Sequence, residues 1–221
     1  VELEREVLAK NDRAAERNRD WLASRGILAL NLMSSPGAGK TTLLERTIRE
    51  LGTELGISVV EGDQETVFDA ERIRATGCPT LQLNTGTGCH LEAEMLGAAL
   101  EKLGPASGSV VMIENVGNLV CPALFDLGEY AKAVVLSVTE GEDKPLKYPY
   151  MFRACRLMIL NKIDLLPHVQ FDVERCVAYA RRVNPSIEVI RVSATTGEGL
   201  DDWYAWLRRR ARLSRHAARV G

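Results

Sequence analysis

No apolar run in this chain approaches the roughly 20 residues that a membrane-spanning helix needs, and no charged-then-apolar leader opens it. Charge of one sign is missing as well: 28 Lys and Arg against 30 Asp and Glu leave a net charge of −2. That balance gives no electrostatic case for nucleic acid or an anionic membrane as partner. Cysteine is sparse. The five, at 78, 89, 121, 155 and 176, are odd in number and follow no framework spacing, which suits a reducing cytoplasm better than disulfides. Repeats and low-complexity segments are absent too. The chain opens on Val1 rather than Met, which leaves room for residues upstream.

What is present is enough for a sizeable core: 221 residues, 46% of them hydrophobic, favour one large domain over two. Residues 1–23 are charge-rich, free of Gly and Pro, and apolar at helical spacing, which predicts an N-terminal helix lying on the main domain of residues 24–221. From 27 onward, apolar runs alternate with helical patterns. The runs are 27–33, 57–61, 80–84, 109–114, 133–139, 157–161 and 187–193; helices are expected near 40–52, 66–75, 91–103, 122–132, 145–153, 172–183 and 199–213. Continuous apolarity implies strands buried on both faces. The expected fold is therefore α/β, a doubly wound, mostly parallel sheet with helices on each side. The basic end, RRRARLSRHAARVG, reads as a solvated helix terminus.

The stretch SSPGAGKTT, residues 34–42, follows the first strand. It matches the phosphate-loop template G-x-x-x-x-G-K-[ST] except that Ser34 replaces the first glycine. Pro36, Gly37, Ala38 and Gly39 form a turn whose glycines let backbone N–H groups face phosphate oxygens. Lys40 reaches the β and γ phosphates, Thr41 offers its hydroxyl to Mg²⁺, and Thr42 is placed to touch the α-phosphate. Farther on, LNKID (160–164) ends another apolar strand. A carboxylate at Asp164 can accept paired hydrogen bonds from guanine's ring N–H and exocyclic amine, whereas adenine would leave it unpaired. The apolar stem of Lys162 can lie over the base and Asn161 can brace the loop. This N-K-x-D arrangement resembles the guanine motif of GTPases, and VSATTGEG (192–199) resembles their second base-contacting loop, with Ser193 and Ala194 the expected contacts. The expected nucleotide is GTP.

Two acidic segments at strand ends complete the nucleotide site, EGDQET (61–66) and IENVGN (113–118). Asp63 and Glu114 are placed to serve Mg²⁺ directly or through water, and Gly117 to present its N–H to the γ-phosphate. Asp69 is a weaker candidate. Asn118 stands where signalling GTPases carry a water-positioning glutamine, and it is shorter, so hydrolysis is expected to be slow.

The stretch TGTGCHLEAEM (85–95) is foreign to that chemistry, since it sets Cys89 directly before His90. Cys121 leaves the sheet at the same carboxyl edge, where doubly wound sheets collect functional groups. Two thiolates and an imidazole suit Ni²⁺ or Zn²⁺ far better than Mg²⁺, and Cys89 at a helix start would have its thiolate favoured. From spacing alone, small buried hydrophobes are an equal reading. That reading is assigned to Cys78, Cys155 and Cys176, and His168 and His216 are expected to be solvated.

Taken in order, SSPGAGKTT, EGDQET, TGTGCHL, ENVGNLVCP and NKID resemble the HypB family of hydrogenase-maturation GTPases over essentially the whole chain. The resemblance implies a GTPase that helps place nickel into [NiFe]-hydrogenase, with Cys89, His90 and Cys121 as ligands near a GTP-dependent homodimer interface. It also implies the hydrogenase large subunit and other nickel-delivery maturation proteins as partners. The rival expectations are a GTPase chaperone for another metalloenzyme such as urease, one guarding a cofactor-bearing mutase, and a non-catalytic metal module switched by GTP.

Overall fold

The computed structural model describes residues 2–63, 68–85 and 90–220, with side chains in those ranges except at 2–5, 63 and 68–70. In chain order the elements are α1 (Glu2–Ser24), β1 (Leu28–Ser34), α2 (Lys40–Leu55), β2 (Ile57–Asp63), α3 (Phe68–Arg74), β3 (Thr80–Asn84), α4 (Ala93–Leu103) and β4 (Val110–Glu114). There follow α5 (Cys121–Leu124), β5 (Ala131–Ser137), α6 (Lys144–Lys147), α7 (Pro149–Ala154), β6 (Leu157–Asn161), a 3-10 turn (Ile163–His168), α8 (Val173–Val183), β7 (Glu188–Arg191) and α9 (Leu200–Val220).

The strands make one sheet ordered β3-β2-β4-β1-β5-β6-β7, and every pairing is parallel. Alternation sorts β1 between the two layers: Leu28, Leu30 and Leu32 join α2 and α9, while Ala29 faces the α1 and α4 side. Both sets are fully buried, which is why the strand reads as continuously apolar rather than alternating. Trp203 of α9 is wholly buried and its indole donates to Thr47 Oγ1 of α2 at 2.8 Å, so its one polar atom is satisfied inside the core. No helix among the described residues is long and apolar enough to cross a membrane.

Helix α1 is fastened by two buried asparagines. Asn11 accepts from Ala93 N at 2.9 Å and donates to Asp126 O at 2.7 Å; Asn18 donates to Ala93 O at 2.7 Å and Leu127 O at 3.0 Å. The helix thus ties the start of α4 to the loop at 126–127. On the opposite edge of the sheet, Glu188 gathers the indole N–H of Trp206 at 3.0 Å and the guanidinium of Arg210, closing α9 onto β7.

Three helix expectations need correction. The one expected over 122–132 is the single turn α5, because Gly128 takes φ +86° and Ala131 and Lys132 already belong to β5. The one expected over 145–153 is two short pieces, since Pro149 lacks the N–H that would continue α6. Helix α4 begins at Ala93, two residues later than expected, and the expectation for Cys89 lies outside the described residues. The basic end also does more than meet solvent: α9 runs to Val220, and Arg215 Nε donates to Gly108 O at 2.6 Å.

Candidate nucleotide and metal site

The phosphate loop leaves the central strand β1 and turns into α2. Ser34 is the last residue of β1, paired in register with Val135 and 2% exposed. An extended strand residue needs no positive φ, so the missing glycine there changes nothing in the turn. Gly37 and Gly39 do need it, at φ +76° and +90°. A Cβ on Gly39 would also stand 2.5 Å from Asn161 Nδ2. The turn opens into a cavity of about 540 Å³ lined by residues 34–42 together with Glu61, Gly62, Arg72, residues 114–117 and Lys162.

Lys40 Nζ donates to Asn115 O at 2.5 Å and lies 3.3 Å from Glu114 Oε1, which also accepts the Thr41 hydroxyl at 2.6 Å. Glu114 is 3% exposed, and its Oε2 is buried without a hydrogen-bond partner. An orphaned carboxylate oxygen beside a threonine hydroxyl suits an oxygen-liganded divalent cation such as Mg²⁺. Asp63 ends β2 one strand away, but its side chain lies outside the described residues, as does that of Asp69. Gly117 comes against Pro36 across the cavity mouth. Asn118 spends its side-chain oxygen on Val120 N at 2.7 Å, within its own turn.

On the base side, Asn161 couples two loops. Its amide donates to Ala38 O at 2.9 Å and accepts from Ala194 N at 3.0 Å. Lys162 sits at φ +63°, which throws its stem across the phosphate loop, where Nζ donates to Gly37 O at 2.6 Å. Asp164 is half-buried in the 3-10 turn that follows. Ser193 is buried and its hydroxyl accepts from Thr196 N at 3.0 Å, which makes it a loop-shaping residue. The structure thereby gathers Asn161, Lys162, Asp164, Ser193 and Ala194 at one rim.

Of the three soft ligands expected from the sequence, Cys89 lies outside the described residues. His90 and Cys121 are brought to the same corner. The imidazole stacks on Phe125, with ring centroids 3.8 Å apart, and Phe125 directly follows α5, the turn that Cys121 opens. Leu91 seals the approach by packing over Gly62, where a Cβ would meet its side chain at 2.7 Å. Burial pushes the His90 pKa down against the opposing pull of Glu92, so the ring is neutral near pH 7 and has a lone pair to offer. Cys121 is free and half-buried. Burial pushes the Cys78 thiol up to about 11 and Cys176 up to about 12, and raises Cys155 also, in keeping with inert core thiols.

Several residues at this rim carry no sequence signal. Glu61 is 2% exposed and stands in register with Glu114 across β2 and β4, placing two acids side by side under the cavity. Lys144 Nζ reaches Ser35 Oγ at 3.4 Å from the start of α6. A buried polar chain also runs beneath: Asn115 Nδ2 donates to Asn31 Oδ1 at 3.2 Å, and Asn31 Nδ2 to Glu129 Oε1 at 3.0 Å. Lys132 Nζ then donates to Glu129 Oε1 at 2.8 Å and to Phe125 O at 2.6 Å. Asn115, whose carbonyl holds the phosphate-loop lysine, and Phe125, whose ring lies beneath the imidazole, are the two end residues of this network.

Comparison with known proteins agrees with this layout. Residues 28–191 match the family model described as CobW/HypB/UreG, nucleotide-binding domain. The hydrogenase maturation factor HypB of Azotobacter vinelandii is 60% identical over 220 residues, covering 100% of this chain and 72% of that protein. The HypB of Escherichia coli K12 is 61% identical over 207 residues, 94% of this chain and 71% of that one. Among solved structures, HypB from Archaeoglobus fulgidus superposes with a TM-score of 0.86 at 42% identity, covering 92% of this chain and 100% of that one. HypB from Helicobacter pylori, solved in complex with nickel, gives a TM-score of 0.85 at 37% identity over 92% of this chain and 95% of that one. The parallel sheet that carries this phosphate loop thus has close counterparts, and the chain belongs to the HypB family of hydrogenase maturation factors, P-loop GTPases of the CobW/HypB/UreG group.

Proposed function

We propose that this GTPase is a metallochaperone that binds nickel through Cys89, His90 and Cys121 and helps insert it into [NiFe]-hydrogenase. Zn²⁺ is the competing ion for the same donors. The observation that carries this reading is the stacking of His90 on Phe125, which puts the loop after β3 and the turn after β4 on one corner of the sheet rim. The nickel complex of the H. pylori relative supports it. Two sulfurs and one imidazole leave a four-coordinate shell open, and water or a second copy of the chain completes it. Val120 and Leu124, exposed at 54% and 55%, flank Cys121 and favour the second copy.

GTP binding at the phosphate loop draws the Lys40 ammonium onto the β and γ phosphates. In doing so it releases Asn115 O, at the head of the stretch that runs from Glu114 to Cys121. Asp164 selects guanine, Asn161 holds the base loop against the phosphate loop, and Gly117 meets the γ-phosphate. Thr41, Glu114 and Asp63 would hold Mg²⁺, which neutralises phosphate charge when bound. Ordering by the γ-phosphate and release on hydrolysis then change how Cys121 stands to His90, so nucleotide and metal affinities are linked, and by reciprocity each alters the other. The GTP state favours the homodimer, and the partners are the hydrogenase large subunit and other nickel-delivery proteins.

Equilibrium dialysis of Ni²⁺ and Zn²⁺ against protein loaded with GDP or a non-hydrolysable GTP analogue, with mass recorded in solution, tests this. The expected result is a nickel affinity that differs between the two states by about 5-fold or more and is lost in Cys121→Ala. Equal affinities in both states would overturn the coupling.

A further inference from the structure

We propose that Arg72 of α3 is a nucleotide-phosphate ligand supplied in cis, held aside by Glu45 until GTP arrives and then donated to the α-phosphate. This rests on the guanine-nucleotide reading of the site and adds a residue to it. The guanidinium lines the phosphate cavity, with Nη2 3.2 Å from the Thr42 hydroxyl and 2.9 Å from Glu45 Oε2. Thr42 lies in the first turn of α2, beside the point where the cradle's N–H groups meet the phosphates nearest the ribose. A group in contact with that hydroxyl needs no backbone movement to reach the same phosphate.

Its anchoring differs from that of an ordinary surface arginine. The next residue, Ile73, is fully buried against the core that α2 also lines, so the backbone at 72 is fixed while the side chain remains 44% exposed. The electrostatics call for such a group. Glu61 and Glu114 are both buried under the cavity and oppose a polyanion, and of the cations that line it, Lys40 serves the β and γ phosphates and Lys162 the base. Release from Glu45 is inexpensive, because that carboxylate also accepts from Arg49 Nη2 at 2.7 Å and keeps this partner when Arg72 departs.

An α-phosphate contact is made equally in GTP, GDP and the transition state. It strengthens binding without accelerating the chemical step. The test compares wild type, Arg72→Ala and Glu45→Gln by competition with a fluorescent guanine nucleotide, using GTP, GDP, GMP and guanosine, together with single-turnover hydrolysis at saturation. Thermal melting by circular dichroism checks that each variant is folded. Arg72→Ala is expected to weaken GTP, GDP and GMP each by about 10- to 30-fold, the size of one lost charge-assisted hydrogen bond. Guanosine binding stays unchanged, the hydrolysis rate stays within about 3-fold, and Glu45→Gln binds as tightly as wild type or tighter.

Three results would overturn the assignment: unchanged affinities in Arg72→Ala, an equal loss in Glu45→Gln (which makes the pair a helix tether), or a fallen rate with intact affinity (which puts the guanidinium on the γ-phosphate). A wild-type protein that bound no guanine nucleotide would instead sink the underlying reading, before any variant was compared.

Discussion

The imidazole of His90 lies on the ring of Phe125, tilted by 23°. Phe125 is itself held, since its carbonyl accepts from Lys132 Nζ, which also serves Glu129. The orientation of the imidazole proposed to bind metal is therefore set from beneath by an aromatic surface and a buried ion pair. Such outer supports typically govern metal affinity by about 10- to 100-fold. Phe125→Ala is expected to weaken nickel binding by about 10-fold and to leave GDP affinity unchanged, as read by metal titration and nucleotide competition on the same preparation.

Glu114 offers a prediction whose sign depends on the cation. Its carboxylate is buried next to Lys40 and Thr41, where it repels phosphate unless a divalent ion lies between them. Glu114→Gln is expected to bind GDP as well as wild type or better without Mg²⁺. It should also lose most of the affinity that Mg²⁺ confers, and hydrolyse GTP at least about 100-fold more slowly. Nucleotide titrations with and without Mg²⁺ check the first part and phosphate release the second. Undiminished Mg²⁺ dependence would remove Glu114 from the cation site.

The proposed function assigns base selection to Asp164. Replacing one carboxylate oxygen by an amide removes an acceptor for guanine and supplies a donor that matches the second carbonyl of xanthine. Asp164→Asn is expected to weaken GTP by about 100-fold or more while gaining affinity for xanthosine triphosphate. Competition between the two nucleotides measures the exchange, and retained guanine preference would place recognition elsewhere on the rim.

Acid should loosen the loop that follows Phe125. Burial pushes the Asp126 carboxyl up, but the Gly128 N–H and the Arg19 guanidinium at 2.6 Å outweigh it, and the folded pKa lies below the ordinary carboxylate value. The folded state then binds this proton less readily than the unfolded chain. The stabilisation is present above about pH 4 and disappears as pH falls through the lower, folded value. Both side chains are close to half exposed, so the pair contributes only about 0.5–1 kcal/mol. Arg19→Ala is expected to lower the melting temperature slightly at pH 6 and by progressively less as the pH falls below about 4, as followed by circular dichroism.

The parts of the site legible in the sequence are those whose chemistry demands a fixed local backbone. A turn that aims N–H groups at phosphate needs Gly37, Gly39 and Lys40 in order, and a base loop needs Asn161 and Asp164 at one strand end. Pairings made only by folding were not legible. Arg72 is an unremarkable helical arginine until α3 lies against α2, and Glu61 passes for a strand-end acid until β4 sets Glu114 beside it. Nor does the sequence show that Lys132 and Glu129 are buried, at 11% and 3% side-chain exposure, because charged residues ordinarily mark solvent. The helix expected over 122–132 failed for a related reason: its apolar spacing belongs to a loop pinned by Asn11 and Asn18 from a helix more than a hundred residues earlier. Cys89 and the side chain of Asp63 fall outside the described residues.

Because one amide, that of Asn161, fastens the phosphate cradle to the loop that meets the base, the gap between those two grips has a set width. On the proposed reading of the site, the protein gauges its nucleotide end to end, as a calliper gauges a rod. Guanosine fills one jaw and pyrophosphate the other; a single molecule that carries both at the right spacing turns two feeble attachments into a firm one, since the second end is captured at the high effective concentration set by the first.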